Sequence, residues 1–323
     1  MITLEEVHIS SPQDESSEER QLRERLISSV KKHTEAKTEY QKFIPSLGLH
    51  YVDSHKTDPN CCYNLSVGLI LTGRKHVVIG NRSYFYGAGS MILTSVEMPT
   101  SFEIMDVSAE HPFASVSIRL DPKLITELLA KMNESQSEEI NAFSIDRPVY
   151  EMLEDFDRLL RLLDHPDQIA ERAPLLIRDI HYLAVHSAAG RNLQGLYTSG
   201  SVGQRIRKSI EYVSQNFREN VSIDELAGIA GMAVTTFHRH FKEITRLSPL
   251  QYQKRMRLYE AQQFLLRGDG DVNSAAFSVG YQSPQQFSRD YKKLFGMPPG
   301  HSAKEVRKSL SELLSSWDQE EIA

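Results

Sequence analysis

Phe237-His-Arg-His-Phe-Lys-Glu-Ile-Thr-Arg-Leu-Ser-Pro249 returns fifty residues later as Phe287-Ser-Arg-Asp-Tyr-Lys-Lys-Leu-Phe-Gly-Met-Pro-Pro299. In each copy two aromatic residues four apart, Phe237 with Phe241 and Phe287 with Tyr291, define one face of a helix. Arg239/Arg289 and Lys242/Lys292 fall on other faces of the same helices. Two helices that are apolar on one side and basic on the other suit a protein that grips one polyanion twice.

The repeat extends upstream. Val221-Ser-Ile-Asp-Glu-Leu-Ala-Gly-Ile-Ala-Gly-Met232 matches Gly270-Asp-Val-Asn-Ser-Ala-Ala-Phe-Ser-Val-Gly-Tyr281. Ser222, with Glu225 three residues on, forms the pattern of a capping box, and Asp271 can cap the second copy. Ala227 and Ala276 leave room for a second helix to cross closely, while Gly231 and Gly280 permit the sharp turn that follows. Each copy therefore reads helix, tight turn, helix. Between the copies, Leu250 to Leu266 reads as one connecting helix with Leu258, Ala261 and Leu265 apolar. At 1.5 Å per residue it spans about 26 Å, enough to hold two reading helices about one DNA turn apart.

The second copy contains Ala276-x-x-Val279-Gly280-Tyr281-x-Ser283-x-x-x-Phe287-Ser288-Arg289-x-Tyr291-Lys292-Lys293-x-Phe295-Gly296-x-x-Pro299. With it, residues from about 202 to 300 resemble the DNA-binding domain of the AraC/XylS family of bacterial transcription regulators. Two positions depart from the family pattern: Arg246 stands where a glycine is usual, and Ala233 replaces a polar helix cap. The outward residues are the candidate readers of double-stranded promoter DNA. They are Thr235, Thr236, His238, Arg239 and Lys242 in the first copy and Gln285, Gln286, Ser288, Arg289 and Lys292 in the second. Arginine can fork onto guanine and glutamine onto adenine, each bidentate contact discriminating by about 1–3 kcal/mol. The lysines, further along, suit phosphate and set affinity rather than sequence. One unit contacting RNA polymerase instead of bases is the alternative use.

Residues 1–20 are acidic and polar, the composition of an unstructured segment, and Gln21–Lys37 carries Leu22, Leu26 and Val30 at helical spacing. From Pro45 to about Asp121 the pattern changes to period two: Leu65, Val67, Leu69 and Leu71, then Val77 and Ile79, then Ala114, Val116, Ile118 and Leu120. Gly80-Asn81 and Gly87-Ala88-Gly89 supply turns between strands, so a small barrel or sandwich is expected. Three helices should follow, the first beginning at Asp121-Pro122, the others near Val149–Leu163 and Ile169–Ala188. Gly190–Gly203, rich in Gly and Ser, reads as a linker.

The segment Phe43–Asp121 is similar to the effector domain of one AraC subgroup, a cupin-like barrel. Ile44-Pro45-x-Leu47, Leu71-x-Gly73-x-Lys75, Tyr86-x-x-Gly89 and Thr94-Ser95-x-Glu97-x-Pro99 carry that resemblance. It implies a small-molecule effector bound inside the barrel and a homodimer formed through the flanking helices. The expected fold class is α+β: an N-terminal cupin-like β-barrel with flanking helices and a C-terminal all-α domain with two helix-turn-helix units. The corresponding divisions are an extension over 1–40, an effector domain over 41–190, a linker over 191–203, the DNA-binding domain over 204–305 and a tail over 306–323.

Charge divides the same way. Residues 200–310 carry 17 Lys and Arg against 10 Asp and Glu, whereas residues 1–199 carry 20 against 29, within an overall net charge of −6. A basic domain beside an acidic remainder fits nucleic-acid binding confined to one domain. The two cysteines, Cys61 and Cys62, exclude a disulfide framework and a four-cysteine zinc site. As neighbours on a strand they would face opposite ways, and a pocket-facing thiol of lowered pKa could sense an electrophile or oxidant. His50, His55, His76 and His111 are scattered without a His-x-His pair, and no nucleophile elbow or phosphate loop occurs. The expectation is thus a regulator without metal or cofactor, not an enzyme; a metal-dependent cupin enzyme and a ligand-independent dimeric regulator are the alternatives. No apolar run approaches the roughly 20 residues of a membrane span. Met1–Glu19 does not resemble a secretory signal, so a cytoplasmic protein is expected.

Overall fold

The computed structural model describes residues 3–4, 15–54, 56–132 and 140–301. Period-two segments become two five-stranded sheets. Strands β1 (Thr3–Leu4), β6 (Arg82–Gly87), β5 (Arg74–Ile79), β8 (Met98–Met105) and β3 (Lys56–Tyr63) lie side by side in that order. The second sheet runs β10 (Phe143–Asp146), β7 (Met91–Thr94), β4 (Ser66–Thr72), β9 (Phe113–Arg119), β2 (Leu47–Val52). All pairings are antiparallel except the short β1–β6 contact. Hydrogen bonds do not close the two sheets into one barrel, an arrangement compatible with a cupin-like jelly roll. Their facing sides bury Val67, Leu69, Leu71, Val77, Ile79, Val116 and Ile118, the residues whose alternation marks the strands in the sequence.

Helix α1 (Ser17–Glu35) buries Leu22, Leu26 and Val30 against this domain. It begins earlier than the apolar pattern suggests because Ser16 and Glu19 form a reciprocal capping box, which fixes the chain before the first leucine. The expectation of an unstructured 1–20 therefore fails for residues 15–20; residues 5–14 lie outside the described residues, as do 302–323. A short helix α2 (Tyr40–Phe43) leads into β2, and α3 (Pro122–Leu129) starts with Asp121 capping Lys123 N and Pro122 at the first position. Then come α4 (Tyr150–Arg161) and α5 (Pro166–His186), which packs on both α3 and α4.

The Gly/Ser-rich stretch expected as a linker holds a helix, α6 (Arg191–Tyr197), with Leu193, Leu196 and Tyr197 buried. The Tyr197 hydroxyl donates to the Ser95 carbonyl at 3.2 Å, and the Arg207 guanidinium covers its ring at 4.3 Å. Composition signals flexibility, but three buried side chains in seven residues override it.

The remaining helices are α7 (Val202–Asn216), α8 (Ile223–Ala230), α9 (Val234–Thr245), α10 (Pro249–Arg267), α11 (Val272–Ser278) and α12 (Pro284–Phe295). The connecting helix α10 starts one residue earlier than expected, fixed by a capping box between Ser248 and Gln251 with Pro249 at its first position, and ends one residue later, at Arg267. Its nineteen residues extend about 28 Å. The buried apolar residues of both domains form one continuous cluster. Across the junction the buried Tyr252 hydroxyl donates to the Glu97 carbonyl at 2.6 Å, and Ala142 N donates to the Ile244 carbonyl at 3.2 Å.

Candidate nucleic-acid interface and effector cavity

The two helix-turn-helix units realise the repeat with their apolar faces locked. Phe237 and Phe241 are fully buried with ring centroids 5.5 Å apart, and Phe241 meets Tyr252 of α10 edge-on at 5.7 Å. In the second unit Phe287 and Tyr291 lie 5.5 Å apart, and Tyr291 stacks on Phe295 at 4.1 Å. Ala227 and Ala276 are buried at the close helix crossings, as their size requires. Gly231 and Gly280 adopt φ of 59° and 86°, the left-handed turns between helices.

With those faces fixed, the opposite faces are fixed too. Thr235, Arg239 and Lys242 are exposed, and Thr236 and His238 half-buried, along α9. Gln285, Gln286, Arg289 and Lys292 are exposed, and Ser288 half-buried, along α12. Each helix thus displays a mixed basic and amide surface of the kind that reads a major groove.

The helix starts differ as their residues require. Ser283 Oγ accepts from Gln286 N at 3.4 Å and donates to the Gln285 side chain at 2.8 Å. Ala233 offers no such bond, so α9 begins uncapped. Asp271 caps α11 through Ser274 N at 2.7 Å. Ser222 caps α8 through Glu225 N, but the expected reciprocal bond gives way to another: Glu225 accepts from the Tyr212 hydroxyl at 2.6 Å.

Two partners of the reading face are not visible in the repeat. Glu243, one turn beyond Arg239, ion-pairs with its guanidinium at 3.6 Å and contacts His240 Nδ1 at 3.0 Å. Arg289 has no ion pair among the described residues: Lys293 stands four residues on, where the first copy has Glu243, and Asp290 pairs with Lys254 of the connecting helix at 2.5 Å. A carboxylate four residues after an arginine is the one sequence signal for the first tether.

A second candidate site lies between the sheets, a cavity of about 480 Å³, well within the range of small-molecule pockets. Its wall mixes Leu69, Ile92, Phe102, Phe113 and Val116 with Tyr63, Lys75, Thr94, Ser115 and Ser117. The Lys75 ammonium sits over three rings, at 3.9 Å from the Phe102 centroid, 5.1 Å from Tyr63 and 5.9 Å from Phe113. Burial pushes the Tyr86 hydroxyl far above its ordinary range, so it remains a neutral hydrogen-bonding group there.

The cysteines divide as alternation on β3 requires. Cys61 pairs across to Thr100, 3.0 Å between Sγ and Oγ1, while the Cys62 sulfur faces Glu97 Oε1 at 3.6 Å and Met256 Sδ of α10 at 3.7 Å. Both line the cavity. Burial first, and the Glu97 carboxylate next, push the Cys62 thiol up, the opposite of the lowered pKa a reactive thiolate needs. Of the histidines, His50 lines the cavity and His76 stacks on Phe85 at 4.2 Å; His55 lies outside the described residues. Among the described residues no cluster of three His, Cys, Asp or Glu could hold a metal, and no helix is long and apolar enough to cross a membrane.

This architecture, a sheet domain with an internal cavity joined to paired helix-turn-helix units, defines a class of two-domain regulator. Comparison with known proteins gives the family. Residues 43–192 match the AraC-type transcriptional regulator N-terminus, and residues 226–305 match a helix-turn-helix domain. The chain belongs to the AraC/XylS family. It is 29% identical over 102 residues to the HTH-type transcriptional activator RhaS of Pectobacterium carotovorum subsp. carotovorum (strain PC1), covering 32% of this chain and 37% of that protein. With RhaS of Escherichia fergusonii it shares 33% over 95 residues, 29% of this chain and 34% of the other. The chain thus spans about a third to a half of the length of the curated relatives it matches. Among solved structures, ToxT from Vibrio cholerae superposes with a TM-score of 0.54 at 13% identity over 80% of this chain and 98% of that one. A ToxT structure with unsaturated fatty acid bound gives 0.52 at 14%, over 80% and 95%. At these identities the likeness concerns the fold.

Proposed function

We propose that this protein is a sequence-specific DNA-binding transcription regulator, an activator, whose N-terminal domain responds to a small-molecule effector. The observation that carries the reading is the pair of exposed faces on α9 and α12, each set by a fully buried aromatic pair behind it. Arg239 and Arg289 contact guanine edges, Gln285 an adenine, and Lys242 and Lys292 the phosphates. Thr235, Thr236, His238, Gln286 and Ser288 complete the two surfaces. The connecting helix holds the units at a spacing suited to successive major-groove segments on one face of the duplex, and one of the units, or a neighbouring surface, contacts RNA polymerase. The protein works as a cytoplasmic homodimer. Selection of bound fragments from genomic DNA, followed by footprinting, tests this: a bipartite site is expected, and binding without sequence preference would overturn it.

The effector occupies the cavity between the sheets. Its lining favours a compact molecule with an apolar body and a polar end near Lys75 and Tyr86. The unsaturated fatty acid bound to ToxT, a protein of the same fold, supports a small-molecule ligand here without naming it. Cys61, on the cavity wall, contacts the effector. A thermal-shift screen of the full chain should find ligands that raise its melting temperature, with the rise diminished in Lys75→Met and in Cys61→Ser; a cavity-directed ligand indifferent to both substitutions counts against this placement.

A further inference from the structure

Two carboxylates on α4, Asp155 and Asp157, are buried alike, each 3% exposed, yet their surroundings are opposite. Asp157 faces Arg161 at 2.9 Å and Arg25 of α1 at 3.7 Å, so its charge is met from two helices. Asp155 has Arg158 at 3.8 Å, and that half-exposed guanidinium stands 3.8 Å from Glu154 as well. Against Asp155 lies a second acid, Asp179 of α5, within hydrogen-bonding contact. Asp155 Oδ2 is buried, and no donor among the described residues reaches it.

The neighbouring cations have other partners. On α1, Arg25 goes to Asp157, and Lys32 and His33 go to Asp164 in the turn after α4. On α5, Arg178 pairs with Glu127 of α3 at 2.7 Å, and Arg172 donates to the Gln168 side chain at 2.6 Å. His181 is neutral: its Nε2 accepts from Asp121 N at 2.8 Å, which leaves Nδ1 to donate to the Ile177 carbonyl at 2.7 Å. Glu151, one turn before Asp155, adds only negative charge.

Two ionised carboxylates offer each other acceptors and no donor, and burying both charges is costly. One proton between them removes a charge and supplies the missing O–H···O bond. We propose that Asp155 and Asp179 hold one shared proton that fastens α4 to α5, and that its release in alkali loosens α5. Asp179 lies on the exposed side of α5, which gives the proton a route to solvent. Helix α5 packs on α3, α4 and α6, and α6 leads into α7, so the helix that loosens stands beside the path to the DNA-binding units. The pair lies within the N-terminal domain and is independent of the DNA-binding and effector readings above.

Burial first, and the Asp179 charge next, push the Asp155 carboxyl from 3.8 up to about 7. The folded chain therefore keeps a proton that the unfolded chain has already lost. The stability this contributes is complete below about pH 4, declines as pH rises, and is lost above about pH 7. His181, whose pKa burial lowers, acts with the opposite sign: its contribution is present above 6.5 and is lost as pH falls. Wild type and variant must therefore be compared at each pH.

Thermal unfolding of the full chain, wild type beside Asp155→Asn, from about pH 5 to about pH 8.5, tests the pair. An amide can donate to Asp179 at every pH, as the protonated acid does only at low pH. The Tm of Asp155→Asn relative to wild type should rise by about 2–4 °C across that range, a pH-dependent gain that misfolding cannot mimic. Asp179→Asn should show a gain of the same sign. Hydrogen exchange, corrected for intrinsic rates, should show the α5 amides of wild type losing protection about tenfold between the two ends, with both variants keeping it. A relative Tm that does not change with pH, or α5 protection that falls equally in all three proteins, overturns the proposal. A rise in wild-type Tm at the alkaline end on adding calcium or magnesium, absent from both variants, overturns it in favour of a bound divalent cation.

Discussion

The two helix-turn-helix units share a frame and differ at nearly every point where that frame meets something else. In the first, α9 starts uncapped at Ala233, ends on a left-handed arginine, and has its central arginine tethered to Glu243. In the second, Ser283 caps α12, Gly296 ends it at φ 77°, and Arg289 is untethered. The first unit is also bonded to the N-terminal domain, through Ala142 with Ile244 and Asn141 with Arg246. Duplication has kept what the core needs and released what it does not. One copy bonds the N-terminal domain through the end of its second helix, and the other, whose α12 packs beside β3, keeps the stronger local capping signals.

The largest effect expected of any change to this pair is in the shared frame. Phe241→Ala and Phe287→Ala each remove a fully buried ring and should cost about 3–5 kcal/mol in denaturant unfolding. Because Phe241 also packs on Tyr252, whose hydroxyl bonds the Glu97 carbonyl, its loss should loosen the domain junction as well. Limited proteolysis near residues 140–142 should accelerate for Phe241→Ala and not for Phe287→Ala; equal acceleration would mean the units are equally coupled.

Next come the reading residues. Arg239→Ala and Arg289→Ala should each lose about 1–3 kcal/mol of base discrimination, at two separate segments of the bound site. Footprints in which both substitutions relax the same base pairs would refute the bipartite assignment.

Helix capping gives a smaller contrast of opposite sign. Ala233 already has extended φ and ψ of −63° and 145°, the geometry of a capping residue, so Ala233→Ser should stabilise the protein by about 1 kcal/mol. Ser283→Ala should destabilise it by about the same amount. A neutral Ala233→Ser would show that the junction, not the cap, limits the first unit.

The smallest expected effect concerns the tether. Glu243→Gln should strengthen DNA binding by less than about 1 kcal/mol, since the pair is exposed. In an Arg239→Ala background part of that gain should vanish, a coupling readable in a double-mutant cycle.

Most of this molecule's local structure can be read from its residues. The 3.6-residue spacing of Phe237/Phe241 and Phe287/Tyr291 sets which side chains point out, because a helix leaves only one way to bury both rings. Alternation in Leu65–Leu71 and Ala114–Leu120 likewise marks strands buried on one side. Composition misled at residues 191–197, where Gly and Ser neighbours hide a helix anchored by Leu193, Leu196 and Tyr197. It misled again at Glu225, whose capping pattern is intact but whose carboxylate goes to Tyr212.

The sequence by itself determined the double unit, the outward faces of α9 and α12 and the sheet-then-helix order, since each follows from the periodicity of neighbouring residues. Only the tertiary structure decided that Arg246 belongs to a domain joint, that Cys62 faces Met256, and that Asp155 is buried against Asp179. These depend on contacts such as Asn141–Arg246 and Glu97–Tyr252, separated by 105 and 155 residues. No local pattern encodes such contacts, because they arise when two independently patterned surfaces bury each other.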